Sequence, residues 1–304
     1  MKRRYMVNTV NMVRVKSVLN KHKKRDCWFL DDYSVNPYLG CSFNCVYCYI
    51  RGSKYGENMR EGLSAKVNSP QILQKQLKRR ARRGEYGIIL LSSSTEAYMP
   101  VERNLKLTRR LLEIILRFRF PVHIVTKSKL VLRDLDLLGE IDRKAILPDD
   151  LGMKLKRGAI ISFSISTLDG KVARIFEPGA PSPGERLEAM RKCKEAGFLV
   201  GVDYIPVLPF ISDSKNQLDV MVKTAKDYGA DFVLVGALTL FGKGSAGCKT
   251  LYYRVLERYY PELLPKYRDL FRRSPAPPKA YQKTLEEVSI KLCKKYDIRY
   301  GILN

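Results

Sequence analysis

Three cysteines, Cys41, Cys45 and Cys48, stand within the stretch NPYLGCSFNCVYCYI at C-x3-C-x2-C spacing. A short loop with those intervals can fold three thiolates around one face of a cubane [4Fe–4S] cluster, leaving the fourth iron without a protein ligand. A structural zinc ion prefers four protein ligands, and the two histidines, His22 and His123, bear no spacing relation to the triplet. Two alternatives stay open: a zinc knuckle, or a redox cluster completed by a remote cysteine such as Cys27 or Cys248. Tyr47 and Tyr49 flank Cys48, as packing around the cluster or as catalytic groups beside it. The scattered Cys27, Cys193, Cys248 and Cys293 read as small hydrophobes, and a total of seven does not suit a disulfide framework.

These side chains need a scaffold, and the pattern after residue 32 supplies one. Short β-rich runs at 33–39, 87–92, 121–126, 159–166, 198–205 and 232–236 alternate with helical stretches at 70–83, 102–118, 133–140, 183–196 and 214–228. Ser69 is the expected N-cap of the first helix, and Gly197 the stop of the fourth, since glycine accepts the left-handed conformation that closes a helix. Six strands joined by helical crossovers predict a parallel α/β sheet or barrel, with its chemistry at the C-terminal ends of the strands. Residues 1–32 read as a basic N-terminal arm, 33–240 as the core and 241–304 as a helical C-terminal cap, with a helix over 283–295.

With 304 residues, 45% of them apolar, the chain can fill the core of a globular protein. No stretch approaches the roughly 18 apolar residues a membrane helix needs, and the opening MKRRYMVNTVNMVRVK lacks the apolar centre of a signal peptide. The expectation is a cytoplasmic protein with no membrane partner. Lys plus Arg total 56 against 31 for Asp plus Glu, a net charge of +25. Such an excess suits a solvated basic surface or, better, a nucleic acid, DNA or RNA, whose condensed counterions are released on binding. Dense runs at Lys21–Arg25 and Lys78–Arg83 are the expected grip on a backbone while the barrel mouth receives a base.

The stretch from Asn36 to about Asp213 resembles the radical S-adenosylmethionine (SAM) superfamily, and within it the spore-photoproduct-lyase-like group often labelled DNA repair photolyases. The cysteine block carries the likeness together with STEAYMPVE at 94–102, HIVTKSKLVLRDLDLL at 123–138, ISFSISTLDGKVARIFEPGAPSPGERLEAM at 161–190 and GFLVGVDYIPVLPFISD at 197–213. The resemblance implies a partial (β/α)6 radical-SAM barrel with an N-terminal basic arm and a helical C-terminal cap. It also implies a [4Fe–4S] cluster whose open iron binds the amine and carboxylate of SAM. An external one-electron donor would reduce the cluster, and SAM cleavage would give methionine and a 5′-deoxyadenosyl radical that abstracts a substrate hydrogen.

Residues just after the strands fit that cofactor. Ser94, Thr95 and Glu96 supply hydroxyls and a carboxylate for the methionyl amine, and the resemblance maps Lys127 and Ser164 onto its carboxylate. Glu177 and Arg186, in EPGAPSPGER, read more readily as structural residues. One departure matters: spore photoproduct lyases carry a hydrogen-donating cysteine near the end of the second strand, where this chain has Ser92, Ser93 and Ser94. Tyr47, Tyr49 or Cys248 are the candidates to replace it. The expected activity is a lyase or transferase-type modification of a nucleic acid, by lesion repair or nucleoside modification. Radical chemistry on a protein or small metabolite, and a cluster that serves only binding or redox sensing, remain the competing readings.

Overall fold

The computed structural model describes residues 10–53, 56, 62–242 and 244–303. Its strands are β1 (Asn11–Val13), β2 (Leu19–Lys21), β3 (Tyr33–Val35), β4 (Tyr38–Leu39), β5 (Ser64–Lys66), β6 (Ile89–Leu91), β7 (Val122–Thr126), β8 (Ala159–Ser164), β9 (Leu199–Val207), β10 (Phe232–Ala237) and β11 (Arg299–Tyr300). The expected six form one parallel series in chain order, β3, β6, β7, β8, β9 and β10. The structure adds an edge strand at each side: β2 antiparallel to β3 and β11 parallel to β10. Edges β2 and β11 do not pair with each other, so the barrel is partial.

Side chains alternate across each strand. On β8, Ala159, Ile161 and Phe163 join the main core with Leu187 and Met190 of the helix Pro183–Glu195. Ile160, Ser162 and Ser164 face the other way, into the lumen. Trp28, Phe29 and Leu30 fill that lumen against Ile88, Leu199, Phe232 and Leu234, so the end of the basic arm is part of the core. Gly236 makes room for them, because a Cβ there would lie 2.9 Å from the Trp28 ring.

Two helix boundaries differ from the sequence pattern for local reasons. Asn68 occupies the cap position of Ser69–Ala81, with Ser69 already inside the helix, and the Asn68 side chain is bonded to Val15 instead. The helix expected over 102–118 breaks at Lys106, which adopts φ 49°. There the buried Glu102 carboxylate turns back to accept the Thr108 N–H at 3.0 Å while pairing with Arg133 at 2.8 Å.

The basic runs correct a further expectation. Lys21 pairs with Tyr33, the first residue of β3, and Arg80 stacks 4.9 Å over the Tyr33 ring before the chain enters β6. Both runs therefore lie at the N-terminal edge of the sheet, opposite the end at which the strands deliver the site residues. Lys78, Arg79, Arg82 and Arg83 are exposed, whereas Arg80 also pairs with Glu85.

Inside the barrel a buried polar chain fixes its own protonation. His123 Nδ1 faces the Phe29 carbonyl at 2.9 Å, which can only accept. Burial lowers His123 to about 4, so the ring is neutral, its proton sits on Nδ1, and Nε2 accepts from the Ser162 hydroxyl at 2.9 Å. The Ser162 oxygen, 2.6 Å from Asp203 Oδ2, must then accept from Asp203, which is a neutral acid. Burial pushes the Asp203 carboxyl up to about 7, in agreement. Between pH 4 and 7 the unfolded chain has released this proton and the folded chain has not, so the Asp203 contribution to stability falls as pH rises and levels off above 7. His123 acts in the opposite direction over much of that window, so the difference between variant and wild type is the readout. Asp203→Asn, which keeps a donor to Ser162, should gain stability over wild type with rising pH, reaching on the order of 4 kcal/mol at pH 8. Denaturant titrations that superimpose at pH 8 would show Asp203 to be ionised without cost.

Candidate active site

The cysteine loop, residues 40–50, leaves β4 at the C-terminal side of the sheet and is held from several directions. β4 pairs with β5, which pairs with β1, and this small sheet packs Tyr38 and Cys41 against Met99 and Leu107. The Thr95 hydroxyl donates to the Gly40 carbonyl, and the Val46 N–H donates to the Phe176 carbonyl at 2.9 Å. The Gly179 N–H reaches the Phe43 carbonyl at 2.9 Å. Only glycine allows that approach, since a Cβ on residue 179 would lie 2.4 Å from the Ser42 carbonyl oxygen.

Cys41, Cys45 and Cys48 are half-buried free thiols on this loop. Burial pushes Cys41 up to about 12 and raises Cys45 and Cys48, whereas the charges of Lys127 and Arg51 work the other way. Such thiols stay protonated alone and are deprotonated by coordination to iron, which supplies the missing positive charge. Among the described residues no three His, Cys, Asp or Glu side chains converge on a single ion, as a mononuclear zinc site needs. A cubane makes no such demand, because each thiolate takes a different iron. The donor set fits the cluster.

Behind the loop lies a buried network of charge. Arg186, with no exposed surface, pairs with Glu177, and the Glu177 carboxylate also accepts from the Tyr47 hydroxyl and lies 3.6 Å from Lys127 Nζ. Lys127 Nζ donates to Ser164 Oγ and stands 5.9 Å from the centre of the Tyr47 ring. Burial works to raise Glu177, but Lys127 and Arg186 outweigh it and hold the carboxyl below its usual range. Burial and the Glu177 charge raise Tyr47, so it is a neutral phenol. Glu177 is shared between Arg186 and Lys127, and the Lys127 ammonium, with three donors, can also reach a ligand carboxylate.

The sequence-derived residues divide accordingly. Lys127 and Ser164 are in contact, and Tyr47 joins them through Glu177. Glu96 is buried and already accepts three bonds, from Tyr98 N–H at 2.9 Å, Thr126 hydroxyl at 2.7 Å and Lys127 N–H at 2.9 Å. Its carboxylate fixes the start of the lysine loop. The Ser94 N–H is held by Asn36 Oδ1 at 3.0 Å, and Tyr49 is exposed, with its hydroxyl on the Ser93 carbonyl. Glu177 and Arg186, which read as structural residues in the sequence, are the centre of the network, and their signal is the EPGAPSPGER segment itself. Asn36 and Asp203 were missed; Asn36 is the residue directly after β3 and Asp203 sits within an otherwise apolar strand.

The model of the radical SAM superfamily matches residues 35–220, well over half of the chain. The chain belongs to this superfamily. It is an enzyme whose cofactors are a [4Fe–4S] cluster and SAM. Uncharacterised proteins of Mycobacterium tuberculosis and Methanocaldococcus jannaschii are similar to it, at 30% identity over 87% of this chain and 74% of theirs, and at 29% over 88% and 87%. A spore photoproduct lyase solved with AdoMet and dinucleoside spore photoproduct shares the fold, with TM-score 0.65 at 19% identity over 94% of this chain and 79% of that one. For the radical SAM protein, replacing Cys41, Cys45 or Cys48 by Ala should abolish the roughly four iron and four sulfide expected per chain after anaerobic reconstitution, and Cys193→Ala should not. Stoichiometric zinc without iron would contradict this. Lys127→Ala leaves Glu177 paired with Arg186, and should weaken SAM binding by roughly 1.5 to 3 kcal/mol in equilibrium dialysis if the ammonium meets the methionyl carboxylate. Unchanged affinity would remove Lys127 from the site.

Proposed function

We propose that this radical SAM enzyme acts on a nucleic acid, repairing a lesion or modifying a nucleoside. A [4Fe–4S] cluster held by Cys41, Cys45 and Cys48 would supply, when bound and reduced, the electron that splits SAM into methionine and a 5′-deoxyadenosyl radical able to take a substrate hydrogen. The protein's part is positioning. Cys41, Cys45 and Cys48 hold the cluster, Lys127 and Ser164 receive the methionyl carboxylate, and Glu177, held by Arg186, keeps Lys127 in place. Glu96 anchors the lysine backbone, and Ser94, Thr95 and Asn36 shape the loop beside it. Tyr47 is a neutral phenol buried among these groups.

The net charge of +25 carries the choice of nucleic acid. The spore photoproduct lyase of similar fold was solved with a dinucleoside lesion, which agrees with a base entering the same mouth. A base must leave its stack to reach a radical that reacts on contact, which costs a few kcal/mol and is easiest in single-stranded or damaged polymer. The substrate step nonetheless differs from thymine-dimer reversal. Ser92 Oγ accepts the Ala97 N–H at 2.8 Å and Ser93 Oγ accepts from Asn36 at 3.0 Å, so this segment offers structural hydroxyls and no thiol hydrogen.

Anaerobic incubation of the reduced protein with SAM and candidate polymers, assaying 5′-deoxyadenosine, tests this reading. Single-stranded DNA or RNA should stimulate product formation, and a spore-photoproduct dinucleotide should not be turned over efficiently to two thymines. If four to six phosphates are neutralised, log affinity for single strands should fall against log salt with a slope of roughly −3 to −4. Undetectable binding to every nucleic acid at low salt would move the substrate to a protein or metabolite.

A further inference from the structure

The cysteine loop has a second face, turned away from Lys127. Val46, between Cys45 and Tyr47, lines a groove of about 630 Å³ between the helices Gly170–Phe176 and Cys248–Tyr259. Lys171 and Arg174 line one wall, Arg254 and Arg258 the other, and Tyr259 stands at the rim, 47% exposed. All four cations are exposed, none forms an ion pair among the described residues, and no carboxylate lines the groove. Arg258 stacks 5.3 Å over the Tyr259 ring, which fixes its charge at the rim. Four uncompensated cations around an apolar floor amount to a surface shaped for a negatively charged partner.

We propose that this groove docks a small acidic one-electron donor protein, which reduces the cluster through Val46. The proposal rests on the radical SAM reading, in which an electron must arrive from outside for each SAM cleaved. The step is a single electron transfer: the donor is oxidised by one electron, the cluster is reduced by one, and no bond or proton changes place. Position favours such a donor over a nucleic acid. The groove floor is one peptide bond from Cys45, on the helix side of the loop, and tunnelling rates fall exponentially with distance. The side chains assigned to SAM lie on the opposite side, where a substrate must reach. A complementary charge patch also raises the encounter rate of two proteins, which sustained turnover needs.

The test compares two reductants on anaerobically reconstituted protein, reading the reduced cluster by electron paramagnetic resonance and its formation by stopped flow. Dithionite, a small chemical reductant, reports the cluster alone; photoreduced flavodoxin, an acidic one-electron donor, reports docking. The variant Arg174→Glu/Arg254→Glu/Arg258→Glu should keep wild-type iron content and dithionite reduction while reduction by flavodoxin slows at least tenfold. Wild-type flavodoxin reduction should also slow with added salt, and that dependence should flatten in the variant. The milder pair Arg254→Gln/Arg258→Gln should show the same effect in smaller measure, which keeps the test valid if the triple variant folds poorly. Equal flavodoxin rates in wild type and variants would overturn the proposal. So would a loss of nucleic-acid affinity with unchanged flavodoxin rates, which would give the groove to a polymer. A wild-type protein with no cluster reducible by dithionite would overturn the radical SAM reading, and this proposal with it.

Discussion

The site depends on keeping Glu177 and Arg186 charged where water does not reach them, with the partly buried Lys127 alongside. Isolated, any one of them would cost several kcal/mol to bury, and removing one partner of such a pair typically costs 3–5 kcal/mol. The structure offsets this with hydrogen bonds as well as charge. Arg186 donates to the Pro181 carbonyl at 2.9 Å and the Ser164 carbonyl at 3.0 Å, and Tyr47 and Ser166 approach within 2.9 Å beside Glu177. These groups come from different segments: Tyr47 from the cysteine loop, Lys127 from the end of β7, Ser164 from the end of β8 and Arg186 from the helix Pro183–Glu195. Satisfying the charges thus fixes the spatial relation of four segments at once.

The lumen shows the opposite solution to the same desolvation problem. His123, Ser162 and Asp203 are buried as well, but there the groups go neutral and pass hydrogen bonds along a chain that ends on the Phe29 carbonyl. Asp203 pairs in register with Ser164, so the neutral chain and the charged network meet across adjacent strands. A proton gained or lost at Asp203 would be felt at Lys127, whose charge already draws the Asp203 carboxyl down against its burial. Asp203 Oδ1 has no hydrogen-bond partner, consistent with a group held neutral by its surroundings.

Much of the architecture was legible because it rests on period and punctuation. Each of the six parallel strands is a short apolar run followed by a turn, and Gly197 adopts φ 88° where the helix closes, as its position predicts. The contact between Lys127 and Ser164 was legible only through family resemblance, since nothing in TKS or FSIS alone says that two strand ends touch. Glu177 and Arg186 were hidden because a buried ion pair nine residues apart has the same local appearance as a solvated one. The break at Lys106 was hidden for a related reason: the residue that ends the helix is stabilised by Glu102, whose own partners are Tyr38 and Arg133, both far along the chain. The roles of Trp28 and Phe29 were obscured by the basic residues around them, which set the character of the arm in composition but not in space.

Charge counted along a sequence has no direction, and the fold gives it one. The densest basic runs, at Lys21–Arg25 and Lys78–Arg83, meet near Tyr33 at the closed end of the barrel, away from the cysteines. The cations of the groove beside Val46 are sparser in sequence, spaced three or four residues apart on two helices, and they form a patch only because those helices lie side by side. Spacing of that kind is one face of a helix, and it is invisible to any search for runs. The loop itself separates the two surfaces it serves. Val46 points to the groove and Tyr47 into the charged network, so consecutive residues face opposite sides, and a partner on the helix side and a ligand on the lumen side need not compete for the same space.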